Sequence, residues 1–300
     1  MWRADVPALA WRREWTADGS PTLVHPVHGE ACHNRVGAWL ESQERYVRAC
    51  GLPEFFAAGT QRPLRLLDVG TGLGMNLSAA LCAAEAAGGV LHAVSFESDT
   101  SVLDEAARWC AEGEVRGPSA RWWPLVQAAL TEARGNPGEW VSLAGRHRLQ
   151  LCLGDASEQL FTLADTLFFD ACFFDPFSAS ADDSLWGAPF LMECARRLAS
   201  GGRLSTYSER ADARLAWTAA GLHVAEGAPL GEKRAGSLAL RVADTTESVR
   251  PQPSAKLTAL LLRRLPQWCA ERGLGLPAGW PIGAPKNGLT GSKDGPGALE

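Results

Sequence analysis

The stretch that most constrains this chain is LLDVGTGLGMNL at 66–77. An apolar run, Leu64–Val69, ends in three glycines within five positions, Gly70, Gly72 and Gly74, and then enters an Ala/Leu-rich run, Met75–Ala87, stopped by Gly88 and Gly89. Glycine costs backbone entropy, so such a cluster marks a main chain that turns tightly or comes close to something. Strand, glycine turn and helix together are the first unit of an open α/β sheet, and ligands bind such sheets at this kind of turn. The spacing excludes two common occupants. A dinucleotide fingerprint needs a glycine three positions after Gly72, where Met75 stands, and no Gly-Lys-Ser/Thr follows to make a phosphate loop.

The rest of the middle region keeps the same rhythm of strands and crossover helices. Strands are predicted at Leu91–Phe96, Leu149–Leu153, Ala171–Phe174, Arg203–Tyr207 and Ser237–Val242. Helices are predicted at Ser101–Ala111, at Leu185–Leu198 with Gly201-Gly202 as its stop, and at Ala211–Ala220. This is an α/β, Rossmann-like arrangement: a mostly parallel seven-stranded sheet with helices on both faces. Residues 61–244 form its domain, with a helical insertion at 113–148 over the sheet edge. Residues 1–60 are an N-terminal extension contributing to the site. Residues 245–300 carry a helix, Leu257–Arg272, and a Gly/Pro-rich tail expected to be disordered.

G-x-G-x-G after an acid-bearing strand is the pattern of S-adenosyl-L-methionine (SAM) methyltransferases. Main-chain amides freed at the helix start meet a carboxylate, and missing side chains let a ligand lie on the backbone. The expected cofactor residues here are Asp68, Gly70, Thr71, Gly72, Gly74 and Asn76. Glu97 ends the second strand, where a carboxylate accepts both ribose hydroxyls. Asp155, ending the next strand in LCLGDA, is placed to accept from the adenine amino group. A single acid of this kind is more often a helix cap or a solvated strand end; three at successive strand ends beside the glycines reverse that balance.

A second signature is DACFFDPFSASADDSLW at 170–186. Its Asp175-Pro176-Phe177 resembles the D-P-P-Y-type loop of methyltransferases that act on nitrogen. There the acid and nearby main chain accept N–H bonds while an aromatic ring stacks on a planar base. Asp175 is therefore the catalytic candidate and also a cofactor contact, and it orients the amine rather than taking its proton.

Composition narrows the remaining classes. A net charge of −5 argues against a surface built only to hold polyanions. The eight cysteines contain no CxxC pair, which points to buried thiols in a reducing cytoplasm and to no metal. No apolar run reaches the roughly 18 residues needed to cross a bilayer, and Arg12-Arg13 stand where a secretion signal would need its cleavage site.

Taken together, several stretches resemble the methyltransferase domain of the MnmC-like enzymes. They are HGEACHNRVGAWLESQERYV (28–47), LLDVGTGLGMNL, VSFESD (94–99), WPLV (123–126), LCLGDA (151–156), the 170–186 segment, GGRLSTYS (201–208) and GEKRAGSLAL (231–240). The resemblance implies SAM as cofactor and, as methyl acceptor, the aminomethyl group on the wobble uridine of certain tRNAs. It brings His33, Glu41, Phe177, Trp186, Tyr207, Lys233 and Arg234 forward as substrate-binding candidates. Pro176 departs from the small residue usual between the Asp and Phe. The acidic balance keeps a second acceptor open, a small-molecule amine or other metabolite. A third reading, a degenerate fold kept for protein contact, is disfavoured by the intact glycine loop with its acids.

Overall fold

The computed structural model describes residues 10–180, 183–230, 235–242 and 251–280. In chain order the strands are β1 (Arg12–Trp15), β2 (Pro21–Val24), β3 (Leu64–Val69), β4 (Leu91–Glu97), β5 (Trp140–Leu143), β6 (His147–Leu153), β7 (Phe169–Phe174), β8 (Leu198–Thr206), β9 (His223–Glu226) and β10 (Ser237–Leu240). The helices are α1 (Ala38–Glu41), α2 (Leu52–Ala57), α3 (Met75–Ala86), α4 (Thr100–Ala111), α5 (Trp123–Gly135), α6 (Ala156–Gln159), α7 (Ala188–Arg196), α8 (Ala211–Ala219) and α9 (Ala255–Ala270). Helix α1 runs directly into a π-helical stretch, Ser42–Arg48.

The main sheet has the order β5-β6-β4-β3-β7-β8-β10-β9. Strands β6, β4, β3, β7 and β8 are parallel, while β5 and β10 run antiparallel to their neighbours. From β3 the chain steps outward through β4 to β6, then returns to the other side of β3 as β7 and proceeds to β8. The order therefore reverses between β3 and β7, and a crevice opens at their carboxyl ends. The inner strands are buried on both faces, which explains why LRLLDV and FDACFF read as apolar runs without alternation. One core cluster, around Leu66, Leu77 and Trp123, fills one face; a second, around Phe174, Trp217 and Leu265, fills the other. Helix α9 buries Leu257, Leu261, Leu265 and Trp268 at helical spacing despite Pro266 within it.

Three expectations are corrected. The main sheet has eight strands, not seven: beyond the six placed in the sequence, Trp140–Leu143 within 113–148 alternates exposed and buried residues and pairs antiparallel with β6, and His223–Glu226 pairs antiparallel with β10. The helix predicted at Leu185–Leu198 begins at Ala188, with Pro189 in its first turn; Ser184–Trp186 ahead of it is a 3-10 turn. Gly201 and Gly202 are no helix stop but part of strand β8, where the register against β7 shifts between Phe169 and Ala171. A Cβ on Gly202 would stand 2.9 Å from the Phe169 carbonyl oxygen, so this irregularity demands glycine.

Helix α5 has a specific task. The Trp123 indole N–H donates to the Leu73 carbonyl at 2.7 Å, and Gln127 Nε2 donates to the same oxygen at 2.8 Å. That carbonyl belongs to the glycine turn, so α5 ties the turn down from behind. Trp123 is fully buried. Trp123→Ala is expected to lower the unfolding free energy by about 3–5 kcal/mol in equilibrium denaturation.

Among the described residues no helix is long and apolar enough to cross a membrane, and no cluster of His, Cys, Asp or Glu is arranged to hold a metal ion.

Candidate active site

At the reversal point lies a cavity of about 790 Å³. Its floor is the glycine turn, Gly70–Gly72; one wall carries Phe96, Glu97 and Asp155, and the other carries Asp175–Phe177 and Tyr207. Residues Gly29–Arg35 close it from above, and Glu41 and Arg45 reach in from α1 and the π-helical stretch.

The three glycines do different work. Gly70, at φ +89°, lies so close to the next loop that a Cβ would stand 2.6 Å from the Asp175 carbonyl oxygen. Gly72, at φ +53°, has open space on that side. Its N–H donates to Glu97 Oε2 at 2.8 Å, while Asp99 N–H donates to Oε1 at 2.9 Å. Glu97 is thus fixed at the cavity wall. Gly74 does not line the cavity; it faces Val126 and Leu130 of α5, and its role is packing.

Asp68 is fully buried beneath the turn and does not line the cavity. It accepts from Ser95 Oγ at 2.6 Å, and Ser95 in turn meets Thr71 Oγ1 at 2.6 Å. Its other oxygen, Oδ1, is buried without a hydrogen-bond partner. Asn76 likewise sits behind the wall, accepting from Ser42 Oγ at 2.7 Å and donating through Nδ2 to Asp175 Oδ2 at 2.8 Å. The Tyr46 hydroxyl donates to Asp175 Oδ1. Asp175 is therefore clamped on both oxygens. Tyr207 braces the same loop, donating to the Pro176 carbonyl at 2.9 Å.

Burial pushes the carboxyl groups of Asp68, Glu97 and Asp175 up to about 7 each; mutual repulsion adds to this, with Asp175 and Glu97 acting on Asp68 and Glu41 on Asp175. His33 and Arg45 lie near them, yet one buried and two half-buried acids around one cavity still favour a cationic occupant. Asp155 is exposed; it lines the cavity and caps α6 by accepting from Ser157 N–H at 2.8 Å.

The remaining candidates divide. His33 and Glu41 line the cavity, with Nδ1 3.8 Å from Glu41 Oε2. Phe177 stands at the mouth beside His25, edge-on at 5.3 Å, and Trp11, stacked at 6.3 Å. Trp186 is absent from the lining. Its ring is buried against Phe174, and its N–H donates to the Phe177 carbonyl at 3.1 Å, so it supports the loop from behind. Lys233 and Arg234 lie outside the described residues. The sequence reading missed Tyr46, which no polarity pattern marks; its one sequence signal was membership of the 28–47 segment. Among the described residues, the N-terminal arginines are largely engaged, Arg12 with Glu14. Arg13 pairs with Glu105 and Glu112, Arg48 with Glu44, and Arg45 is buried.

Comparison with known proteins agrees with this geometry. Residues 123–241 match a family described as S-adenosyl-L-methionine-dependent methyltransferase. The chain is 30% identical over 251 residues to the tRNA 5-methylaminomethyl-2-thiouridine biosynthesis bifunctional protein MnmC of Caulobacter vibrioides, covering 80% of this chain and 40% of that protein. The protein of the same description from Paracidovorax citrulli is 30% identical over 208 residues, 65% of this chain and 30% of its own length. The chain thus spans less than half the length of these curated relatives. The crystal structure of MNMC2 from Aquifex aeolicus superposes with a TM-score of 0.67 at 26% identity, covering 86% of this chain and 77% of the other.

Proposed function

We propose that the chain, whose family match and relatives are those of an S-adenosyl-L-methionine-dependent methyltransferase, methylates the aminomethyl group on the modified wobble uridine of tRNA. The observation that carries the reading is Asp175, clamped on both oxygens at the strand end beside the glycine turn, in the cavity lining. SAM supplies an electrophilic methyl group on a positively charged sulfur.

The residues present fit that cofactor. Gly72 leaves room for a ligand against the backbone, Glu97 is fixed where a carboxylate accepts ribose hydroxyls, and Asp155 stands further along for the adenine amino group. Glu97, Asp175 and the buried Asp68 beneath give the cavity the negative potential a sulfonium needs. Positive charge disperses from sulfur during transfer, so the protein contributes mainly alignment and exclusion of water. Asp175 accepts an N–H bond from the amine and aims its nitrogen along the line of displacement. Phe177 offers a ring at the mouth for a planar base.

The test is nucleoside mass spectrometry of tRNA from cells with and without the gene. Loss of the methylaminomethyl uridine, with build-up of its aminomethyl precursor, supports the reading; unchanged tRNA overturns it in favour of a small-molecule amine. Binding separates the two acceptors as well. Affinity for tRNA is expected to fall at least roughly tenfold between about 50 and about 200 mM salt, whereas a small amine substrate would show far less dependence.

A further inference from the structure

An alkyl amine has a pKa of about 10 and reaches the site as an ammonium ion with no lone pair to attack. Something must take its proton. Asp175 is poorly suited, because an ionised carboxylate beside an ammonium holds the proton in place, and the bonds from Tyr46 and Asn76 favour its charged form over its protonated one.

His33 is the histidine of the cavity lining. The residue is 7% exposed, and Nδ1 is buried without a hydrogen-bond partner, 3.8 Å from Glu41 Oε2. Nε2 makes no hydrogen bond to any described residue. Glu41 is held in turn: Oε2 accepts from Asn34 N–H at 2.7 Å, and Oε1 lies 3.6 Å from Arg45 Nε. A carboxylate is thus anchored on one side of an imidazole whose other nitrogen is unengaged. Catalytic hydrogen bonds often tighten only once substrate is bound, and with this pair closed from 3.8 Å to hydrogen-bond distance the carboxylate sets the tautomer and steadies the imidazolium while Nε2 does proton work.

Resting on the proposed amine methylation, we infer that His33, backed by Glu41, is the general base that takes the proton from the substrate ammonium. The N–H bond of the ammonium breaks, its proton passes to Nε2, and the electron pair stays on nitrogen. The freed amine then bonds to the methyl carbon as the carbon–sulfur bond breaks with its pair going to sulfur. A secondary ammonium and a neutral thioether result, and His33 returns its proton to solvent.

The groups acting on His33 are Glu41 from α1, Asp175 after β7 and Asp68 at the end of β3; behind them, Arg45 of the π-helical stretch faces Glu41 and Tyr46 bonds Asp175. Burial alone lowers the ring's pKa, but Glu41, Asp175 and Asp68 outweigh it and the balance is upward. A cationic cofactor arriving at the same acids offsets that pull. Binding of the methyl donor therefore shifts the ring toward its neutral, proton-accepting form.

The experiment follows His33 in the whole protein by NMR titration, free and with sinefungin, in which a protonated amine replaces the sulfonium. The imidazole is expected to titrate above the ordinary histidine range when free and to move down with sinefungin, and Glu41→Gln is expected to lower it in the free protein. Absence of both shifts overturns the inference. In parallel, His33→Gln is assayed on tRNA bearing the aminomethyl uridine. Its kcat is expected to fall roughly 10²-fold and to lose the acid limb of its pH profile, with SAM affinity within a few fold. A variant that keeps the wild-type rate and profile overturns the inference while leaving tRNA methylation intact. A wild type that does not methylate this tRNA overturns the underlying reading instead.

Discussion

Asp175→Ala is expected to slow methyl transfer by roughly 10²-fold or more while the Kd for SAM stays within a few fold. Asp175 holds the acceptor, so its loss frees the amine to sample unproductive orientations while the methyl donor keeps the glycine turn, Glu97 and Asp155. Calorimetry for SAM and single-turnover transfer measure the two quantities separately. Equal loss of both would assign Asp175 to the cofactor rather than to alignment. Asp175→Asn should fall between, since it keeps the shape but offers a weaker acceptor and places an amide near Asn76 Nδ2, one of the present donors.

Gly70→Ala carries the largest expected cost to the fold at the site. The residue sits at φ +89°, and its Cβ would stand 2.6 Å from the Asp175 carbonyl oxygen and 3.2 Å from Pro176 Cα. These are backbone atoms of a loop braced by Tyr207 and Trp186, and cannot swing aside. A loss of about 3 kcal/mol or more is expected, from left-handed strain together with overpacking, with SAM binding lost alongside. Gly72→Ala is the control. It shares the strain but meets open space, and should cost only about 1–2 kcal/mol. Thermal unfolding and SAM binding of the two variants check this, and equal effects would refute it.

The frame of the sheet was legible in LLDVGTGLGMNL and in DACFFDPF because strands buried on both faces write themselves as apolar runs, and tight turns as glycine. What the alphabet does not encode is depth. Asp68, Asn76 and Trp186 stand at positions that read as cavity-facing, yet each lies one layer behind, holding Ser95, Asp175 and the Phe177 carbonyl in place. Gly74 belongs to the same glycine pattern as Gly72 but packs on α5, a partner some fifty residues away that no local signal names. Trp140–Leu143 was too short to stand out as a strand until β6 gave it an edge. Tyr46 was invisible because its importance comes from a contact with Asp175, 129 residues away.

The π-helical stretch Ser42–Arg48 has one further implication. A wide turn accommodates an additional residue compared with the ordinary helical wind, and stretches of this kind recur at functional sites. Here the stretch and the residue just before it bring Glu41 and Arg45 into the cavity lining and, on the next residue, set the Tyr46 hydroxyl against Asp175, though an α-helix advances about 100° per residue. The segment should accordingly tolerate conservative exchanges far better than changes of length. Deleting a single residue there would wind the stretch tight, swing the phenol away from its acid, and disarm the enzyme without disturbing any strand of the sheet.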